Sequence, residues 1–225
     1  MILIGQYDSP FVRRVAVALR LYGFAYEHRP WSVFGDADKI ATINPLMRVP
    51  TLIDDDGVAL VETMAILDRL DERAGPDRAL IASAGPDRRD ALQVCALAGG
   101  MADKAVSLVY ERVVHQRATP VWVERCRNQI AGVLDALEAD RATRGAGWFG
   151  PGIGHADIAV ACSLRFLREA HPEVFDAARW PTLAAHARAC EALSVFQAVT
   201  QPFMVKAPEG STRDARFDAT STTGP

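Results

Sequence analysis

Short apolar runs alternate with amphipathic segments in the first third of the chain, and long segments rich in alanine, leucine and valine follow. Four runs rich in β-branched and aromatic residues predict strands at MILIG (1–5), FAYEHR (24–29), VPTLID (49–54) and VALV (58–61). Helical patterns separate them, so the predicted order is βαβ, a helix, a β-hairpin and a final helix. This order predicts an α/β unit, and the loss of strand signals after it predicts an all-helical domain.

Turn-forming residues and composition divide the chain into four parts. We predict an α/β domain over 1–76, a linker over 77–86 marked by Gly-Pro pairs, and a helical domain over 87–205. Residues 206–225 contain few aliphatic side chains, so they bury too little surface to offset the entropy of ordering. We expect a mobile tail there.

The pattern predicts that the first helix is capped by Ser9 and begins at Pro10. Serine is a favoured N-cap because its oxygen accepts from a free amide, and proline is tolerated at the first helical position. The apolar stripe contains Phe11, Val15, Leu19 and Tyr22, and the residues off it include Arg13, Arg14 and Arg20. On this local pattern alone, capping explains Ser9.

The charge balance argues against nucleic acid as a partner. The 25 Lys and Arg residues are offset by 28 Asp and Glu residues, and no long basic run occurs. No stretch reaches the roughly 18 uninterrupted apolar residues that predict a membrane span. The N-terminus also lacks the basic start and longer apolar run of a signal peptide. We therefore expect a cytoplasmic protein without membrane partners.

The cysteines and histidines show no metal-binding pattern. The widely spaced cysteines form no CxxC motif, and we expect reduced, mostly buried thiols at Cys95, Cys126, Cys162 and Cys190. The histidines lack metal-ligand spacing, so no metal is expected. The segment GAGWFG (145–150) fits GxGxxG, but no strand precedes it, which predicts a loop and not a dinucleotide site.

Three N-terminal motifs, SPFVRRV (9–15), NPLMRVPTL (44–52) and ETMAILDRL (62–70), occur in an order and spacing that is specific in combination. They resemble the thioredoxin-like domain of cytosolic glutathione transferases of the serine type. In the second half, GHADIAVACSLRFL (154–167) is similar to the buried helix of that family, and the segment 180–199 to the helix after it. The resemblance covers residues 1–203.

The resemblance implies a glutathione site. Ser9 occupies the position whose hydroxyl donates to the glutathione sulfur. A helix N-terminus contributes about 0.3–1 kcal/mol to a thiolate, whereas lowering a thiol pKa by about two units needs about 2.7 kcal/mol. A hydrogen bond to the charged sulfur, worth about 1.5–3 kcal/mol, is therefore required. Val49 and Pro50 match the cis Val-Pro that presents a backbone to the cysteinyl part, and Glu62 and Thr63 match the pair that holds the γ-glutamyl end.

The family pattern adds further glutathione contacts at Phe11 and Arg48. Arg13 or Arg48 is a candidate for the glycine carboxylate. The helix CALAGGMADKAVSLVYERVV (95–114) contains small residues that allow two helices to approach closely, so we expect a homodimer in which Asp103 reaches the glutathione amine bound by the partner.

The reaction implied is attack by glutathione thiolate on a small hydrophobic electrophile. We expect the electrophile between the first helix and residues 88–115, against an apolar wall of Met101, Val106, Leu108 and Tyr110. Conjugation, isomerisation, dehalogenation and peroxide reduction all remain open, and detoxification is the role that the resemblance implies.

Two other functions are weighed against a transferase. A non-catalytic glutathione-binding or regulatory module of the same fold is the main alternative. A disulfide reductase is disfavoured, because serine cannot form the mixed disulfide that such enzymes need. Tyr7 is a rival thiol activator, but we favour packing of its ring on the core.

One position departs from the family pattern. Gly154 stands where Ser or Thr usually forms a reciprocal capping box with the Asp three residues later, here Asp157. The carboxylate of Asp157 can still accept backbone amides, so we expect the helix to form with a weaker cap.

Overall fold

The computed structural model describes residues 1–113 and 119–204. The first domain contains four strands and three helices, in the order β1 (Ile2–Ile4), α1 (Pro10–Tyr22), β2 (Glu27–Arg29), α2 (Ala37–Ala41), β3 (Thr51–Ile53), β4 (Ala59–Val61) and α3 (Thr63–Ala74). The described part of the second domain is helical, with α4 (Gly85–Val113), α5 (Pro120–Ala142), α6 (His155–Ala170), α7 (Pro181–Glu191) and α8 (Ser194–Gln197). Both the predicted element order and the predicted change to helices are confirmed, while the expected tail at 206–225 lies outside the described residues.

The sheet has the strand order β2-β1-β3-β4. β1 runs parallel to β2 and antiparallel to β3, which in turn runs antiparallel to β4. Each strand has only three residues, fewer than the apolar runs in the sequence suggested. The sheet therefore obtains its stability from packing against helices more than from its own hydrogen bonds.

Helix α6 joins the two domains. Its residues Ile158, Ala161 and Cys162 belong to the core around α1 and the sheet. Ala159, Val160 and Leu164 of the same helix belong to the core formed with α4 and α5. Because α6 is buried on nearly every side, it contributes to both cores and holds the two domains together. All four cysteines are free and buried, as predicted.

The arginines of α1 differ from the expectation based on the apolar stripe. Arg13 and Arg14 lie off the apolar stripe, yet each is only 2% exposed. Arg13 is covered by α7, α8 and the chain after α8, and Arg14 lies against α3 and α4. Arg13 donates to both carboxylate oxygens of Glu191, at 2.5 and 2.7 Å, and to the carbonyls of Val199 and Phe196. Because these hydrogen bonds occupy the guanidinium of Arg13 in the protein interior, the expectation that Arg13 holds the glycine carboxylate is wrong.

The N-terminus of α6 has half of a capping box. The Asp157 carboxylate accepts from the amides of Gly154 and Trp148, each at 3.0 Å. Gly154 has no side chain to return the bond, as expected. The structure supplies a reason for the glycine, since a Cβ at this position would lie 2.9 Å from the carbonyl oxygen of Leu80. That carbonyl accepts from the amide of His155 at 2.9 Å. Gly154 therefore gives up a side-chain cap but allows the linker to pack closely on α6.

A half-buried carboxylate also holds the linker in place. Asp71, near the end of α3, accepts from His155 Nε2 at 2.9 Å, from the hydroxyl of Tyr22 and from the amide of Leu80. Burial raises the pKa of Asp71, but the bonds from His155 and Tyr22 outweigh burial, and the net pKa lies below its ordinary value. One ionised side chain thus connects α1, α3, the linker and α6.

We expect Asp71→Asn to destabilise the protein by about 1.5–3 kcal/mol at neutral pH, the range for hydrogen bonds to a charged group. Because the folded-state pKa of Asp71 is depressed, its contribution is present above the unfolded pKa of about 3.9 and is lost as pH falls through the folded value. Urea unfolding of the parent and the variant at pH 7 measures the destabilisation, and the same comparison at pH 3 measures how much of it is lost in acid. Asp68→Asn is the matched control, because Asp68 lies on the same helix with its side chain 73% exposed. Equal losses for the two variants would contradict the assignment.

Within the described residues, one helix, α4, is long and apolar enough to cross a membrane by length and composition alone. The inward face of α4 supplies much of the core of the helical domain. Core helices of globular proteins pass the same test.

Candidate glutathione site

The register of the sheet brings three chain segments to one edge. Ile4, the last residue of β1, pairs with Thr51, the first residue of β3, and Thr51 pairs with Val61, the last residue of β4. The segments that follow β1, precede β3 and follow β4 therefore start from neighbouring points. They carry the N-terminus of α1, the Val49-Pro50 bond and the N-terminus of α3, as the sequence motifs required.

Ser9 is the N-cap of α1, and its hydroxyl is only loosely engaged. The Oγ atom accepts from the amide of Val12 at 3.4 Å, longer than the usual 2.7–3.2 Å of an N–H···O bond. Among residues 1–113 and 119–204, no acceptor is found for the hydroxyl hydrogen. The half-buried serine therefore retains a donor beside a helix N-terminus, where a negative charge is stabilised.

Tyr7 has a hydroxyl that is already hydrogen-bonded and that, unlike the hydroxyl of Ser9, is not free to donate to a thiolate. Its hydroxyl lies 2.9 Å from the hydroxyl of Tyr26, and its ring stacks on His28 with centroids 3.8 Å apart. Burial and the hydrogen bond with Tyr26 raise the pKa of Tyr7. A phenol with a raised pKa that is already paired is a poor activator of a thiol, which agrees with the packing role expected from the sequence.

The Val49-Pro50 peptide bond is cis, which the sequence motif predicted. Val49 makes no backbone hydrogen bond to the rest of the described chain, so its N–H and C=O are free to pair with an extended peptide. Gly5 allows this loop to pack closely on the end of β1 and on α1, because a Cβ at Gly5 would lie 2.5 Å from Val12 and 2.8 Å from Val49.

Asn44 fixes the same loop and was missed by the sequence analysis. Its buried side chain donates to the carbonyl of Arg48 at 2.8 Å and to the hydroxyl of Thr51 at 3.0 Å, and it accepts from the amide of Leu46. The signal was an Asn-Pro pair, which favours turn initiation. Met47 adopts a φ of 50°, unusual for a residue with a side chain, and this strain lies beside the candidate site.

Glu62 and Thr63 form the start of α3. Glu62 is the N-cap, has a φ of 74°, and its carboxylate accepts from the amide of Met64 at 2.9 Å. Thr63 is the first helical residue and is 2% exposed, with no partner for its hydroxyl among the described residues. The helix N-terminus can bind a carboxylate, and the exposed Glu62 can accept from an ammonium group.

Beside this edge, Arg48 and Phe34 of the first domain lie opposite α4 of the second domain, and the region next to these residues is the candidate electrophile cleft. Arg48 Nη2 lies 3.7 Å from Asp103 Oδ1 of the same chain, and both side chains are largely exposed. The ring of Phe34 lies 5.5 Å from that of Tyr110. Burial raises the pKa of Tyr110, although nearby Arg48 opposes the shift. Phe34 was not identified from the sequence, because a single aromatic in a loop carries no pattern.

The proposed apolar wall is only partly accessible. Tyr110 is 36% exposed and Val106 is half-buried, so both can contact a ligand in the cleft. Met101 is 1% exposed and Leu108 is 7% exposed, and both pack in the core of the helical domain. Their assignment to the wall is therefore wrong, because their positions on α4 face inward. Phe11, in the first turn of α1, is half-buried.

Comparison with known families agrees with this geometry. A model of the glutathione S-transferase N-terminal domain matches residues 3–78, and a model of its C-terminal domain matches residues 120–189. A glutathione S-transferase from Methylobacterium radiotolerans, solved in complex with glutathione sulfonate, superposes with a TM-score of 0.81 and 27% identity, covering 91% of this chain and 98% of that one.

Two curated relatives show a similar level of sequence identity. The GST-like protein YibF of Escherichia coli is 27% identical over 175 residues, which cover 74% of this chain and 82% of YibF. Maleylacetoacetate isomerase of Pseudomonas aeruginosa is 28% identical over 194 residues, which cover 81% of this chain and 87% of the isomerase.

A thioredoxin-like domain with a cis Val-Pro loop, followed by an all-helical domain, defines the class of this protein. The chain belongs to the cytosolic glutathione S-transferase superfamily.

Proposed function

We propose that this protein is an enzyme that binds glutathione and activates its thiol for attack on a small hydrophobic electrophile. The observation that carries the proposal is the convergence of the loosely engaged Ser9 hydroxyl, the unpaired Val49 backbone and the N-terminus of α3 on one edge of the sheet. These groups match the three parts of the ligand in turn, which are the sulfur, the peptide backbone and the γ-glutamyl end.

The proposed chemistry begins with ionisation of the bound thiol. The proton leaves to solvent, and the sulfur anion accepts from the Ser9 hydroxyl near the positive end of α1. The sulfur then forms a bond to an electrophilic carbon held in the cleft beside Phe34 and Tyr110. In conjugation by substitution the attacked carbon expels a leaving group with its bonding electrons, and in conjugation by addition to an activated double bond the neighbouring carbon takes up a proton from solvent. In isomerisation the adduct rotates about the attacked bond and releases glutathione unchanged.

Calorimetry with reduced glutathione tests the binding step. We expect one binding site per chain. Ultraviolet absorbance of the bound thiolate, titrated against pH, tests whether the protein lowers the pKa of the glutathione thiol. Consumption of thiol with a halogenated aromatic substrate identifies conjugation, and turnover of a cis-enone diacid without thiol loss identifies isomerisation, the activity in the name of the Pseudomonas relative. Glutathione binding without a depressed thiol pKa would favour the non-catalytic module, and the absence of binding would overturn the proposal.

We also propose a two-fold homodimer built on α3 and α4. Gly100 and Ala96 of α4 and Ala65 of α3 are small and exposed, which allows close approach of a second copy. Light scattering at micromolar concentration is expected to give twice the mass of the 24.4 kDa chain. A stable monomer would exclude both the dimer and the role of Asp103 at the partner's site.

A further inference from the structure

Two adjacent arginines on α1 are equally buried but differ in their partners. Arg13 and Arg14 are both 2% exposed. Arg13 is paired with Glu191 and two carbonyls, as described above. Arg14 has one hydrogen bond in the described chain, from Nη2 to the sulfur of Met64 at 3.3 Å, and its buried Nε has no partner.

The surroundings of Arg14 supply no carboxylate. Within residues 1–113 and 119–204, no Asp or Glu oxygen lies within 4 Å of its guanidinium. A thioether is a weak acceptor, and it offers no charge. Burying an arginine without an anion is strongly unfavourable, because the desolvation of the cation is not compensated. Among the residues that the structure describes, the buried charge of Arg14 is therefore not paired with a carboxylate.

The position of Arg14 indicates where its countercharge binds. Its one acceptor, Met64, is in the first turn of α3 and directly follows Thr63. On the other side, the guanidinium lies next to Gly99 of α4, where a Cβ would be in ordinary van der Waals contact with Nη1 at 3.7 Å. The buried Arg14 cation and the positive N-terminal end of the 12-residue helix α3 thus lie close to the same part of the site, the start of α3.

We propose that Arg14 is the buried countercharge for the γ-glutamyl α-carboxylate of glutathione, and so determines the specificity of the site for an anion there. The inference rests on the proposed function, which places that carboxylate at Thr63. Because Arg14 is buried, it acts as a positioning residue through space and through Met64, without touching the ligand. In a medium of low polarity such a charge is effective over several ångströms.

The proposal predicts opposite effects on stability and on binding. Removing an unpaired buried charge leaves a protein equally stable or more stable when an apolar side chain fills the space. Arg14→Met should therefore unfold at the same temperature as the parent, or higher, in the absence of ligand. Its affinity for glutathione should fall by about tenfold, the effect of a unit charge roughly 10 Å away at an effective dielectric constant of about 20.

Two ligands separate the carboxylate from the rest of glutathione. Calorimetry compares reduced glutathione with 4-aminobutanoyl-cysteinylglycine, which lacks only the γ-glutamyl α-carboxylate. The ratio is the affinity for reduced glutathione divided by the affinity for the analogue. It should be about tenfold smaller in Arg14→Met than in the parent. The conservative variant Arg14→Lys keeps the charge, and it should preserve most of the ratio.

Each other outcome contradicts the inference in a recognisable way. If Arg14→Met weakens both ligands equally, or fails to fold, Arg14 is a structural residue. If the ratio is unchanged while light scattering shows altered self-association, the missing anion belongs to a second copy of the chain. If the parent binds neither ligand, the proposed function fails, whereas binding by the parent with an unchanged ratio in Arg14→Met overturns this inference alone.

Discussion

Replacing Ser9 by alanine is expected to raise the pKa of bound glutathione by about one to two units, because a hydrogen bond to the thiolate contributes about 1.5–3 kcal/mol. At pH values below the parent pKa, turnover should fall by about 10 to 100-fold, in proportion to the lost thiolate, and the loss should shrink as pH rises toward the new pKa. Titration of thiolate absorbance in the complex, for parent and variant, measures the shift directly.

The same substitution separates catalysis from capping. Loss of an N-cap side chain costs about 0.5–2 kcal/mol of stability, and the long 3.4 Å bond to Val12 places Ser9 at the low end of that range. Ser9→Ala should therefore change the pKa much more than it changes unfolding. With oxidised glutathione added, Ser9→Cys should form a mixed disulfide by thiol–disulfide exchange and release one reduced glutathione, since a thiol at a helix N-terminus is readily ionised.

Tyr7→Phe is the control for the Ser9 experiment. The Tyr7 hydroxyl is paired with Tyr26, so its removal should leave the thiolate titration unchanged. An unchanged curve for Ser9→Ala together with a shifted curve for Tyr7→Phe would move the activating role to the tyrosine.

The parts of the fold that could be predicted are those encoded by local pattern. The strand and helix order followed from short apolar runs, and Ser9 and Pro10 marked the start of α1. The cis bond at Val49-Pro50 came from the family motif, because an isolated X-Pro bond is trans about 95% of the time.

The parts that could not be predicted depend on residues far apart in the chain. The bidentate partner of Arg13 is Glu191, 178 positions away, and no local pattern indicates such a pair. The inward orientation of Met101 is similar, because α4 is apolar enough around its circumference to conceal which face is buried. The unpaired Arg14 is also invisible in the sequence, since it differs from Arg13 only in what the fold places beside it.

Thr63 offers the second large effect, on binding. Thr63→Val keeps the shape of the side chain and removes the hydroxyl that is proposed to donate to the γ-glutamyl carboxylate. A hydrogen bond to a charged group is worth about 1.5–3 kcal/mol, so affinity for glutathione should fall by about 10 to 150-fold. Calorimetry measures this loss, and Thr63→Ser is the matched control because it restores the hydroxyl.

Stability should respond differently from affinity in these variants. The Thr63 hydroxyl has no partner in the described residues, so its removal breaks no bond of the ligand-free protein. Thr63→Val should therefore unfold close to the parent while losing the stabilisation that saturating glutathione gives. Equal glutathione affinity in Thr63→Val and Thr63→Ser would remove the hydroxyl from the site, and would assign the carboxylate to the amides at the start of α3 and the charge of Arg14 near them.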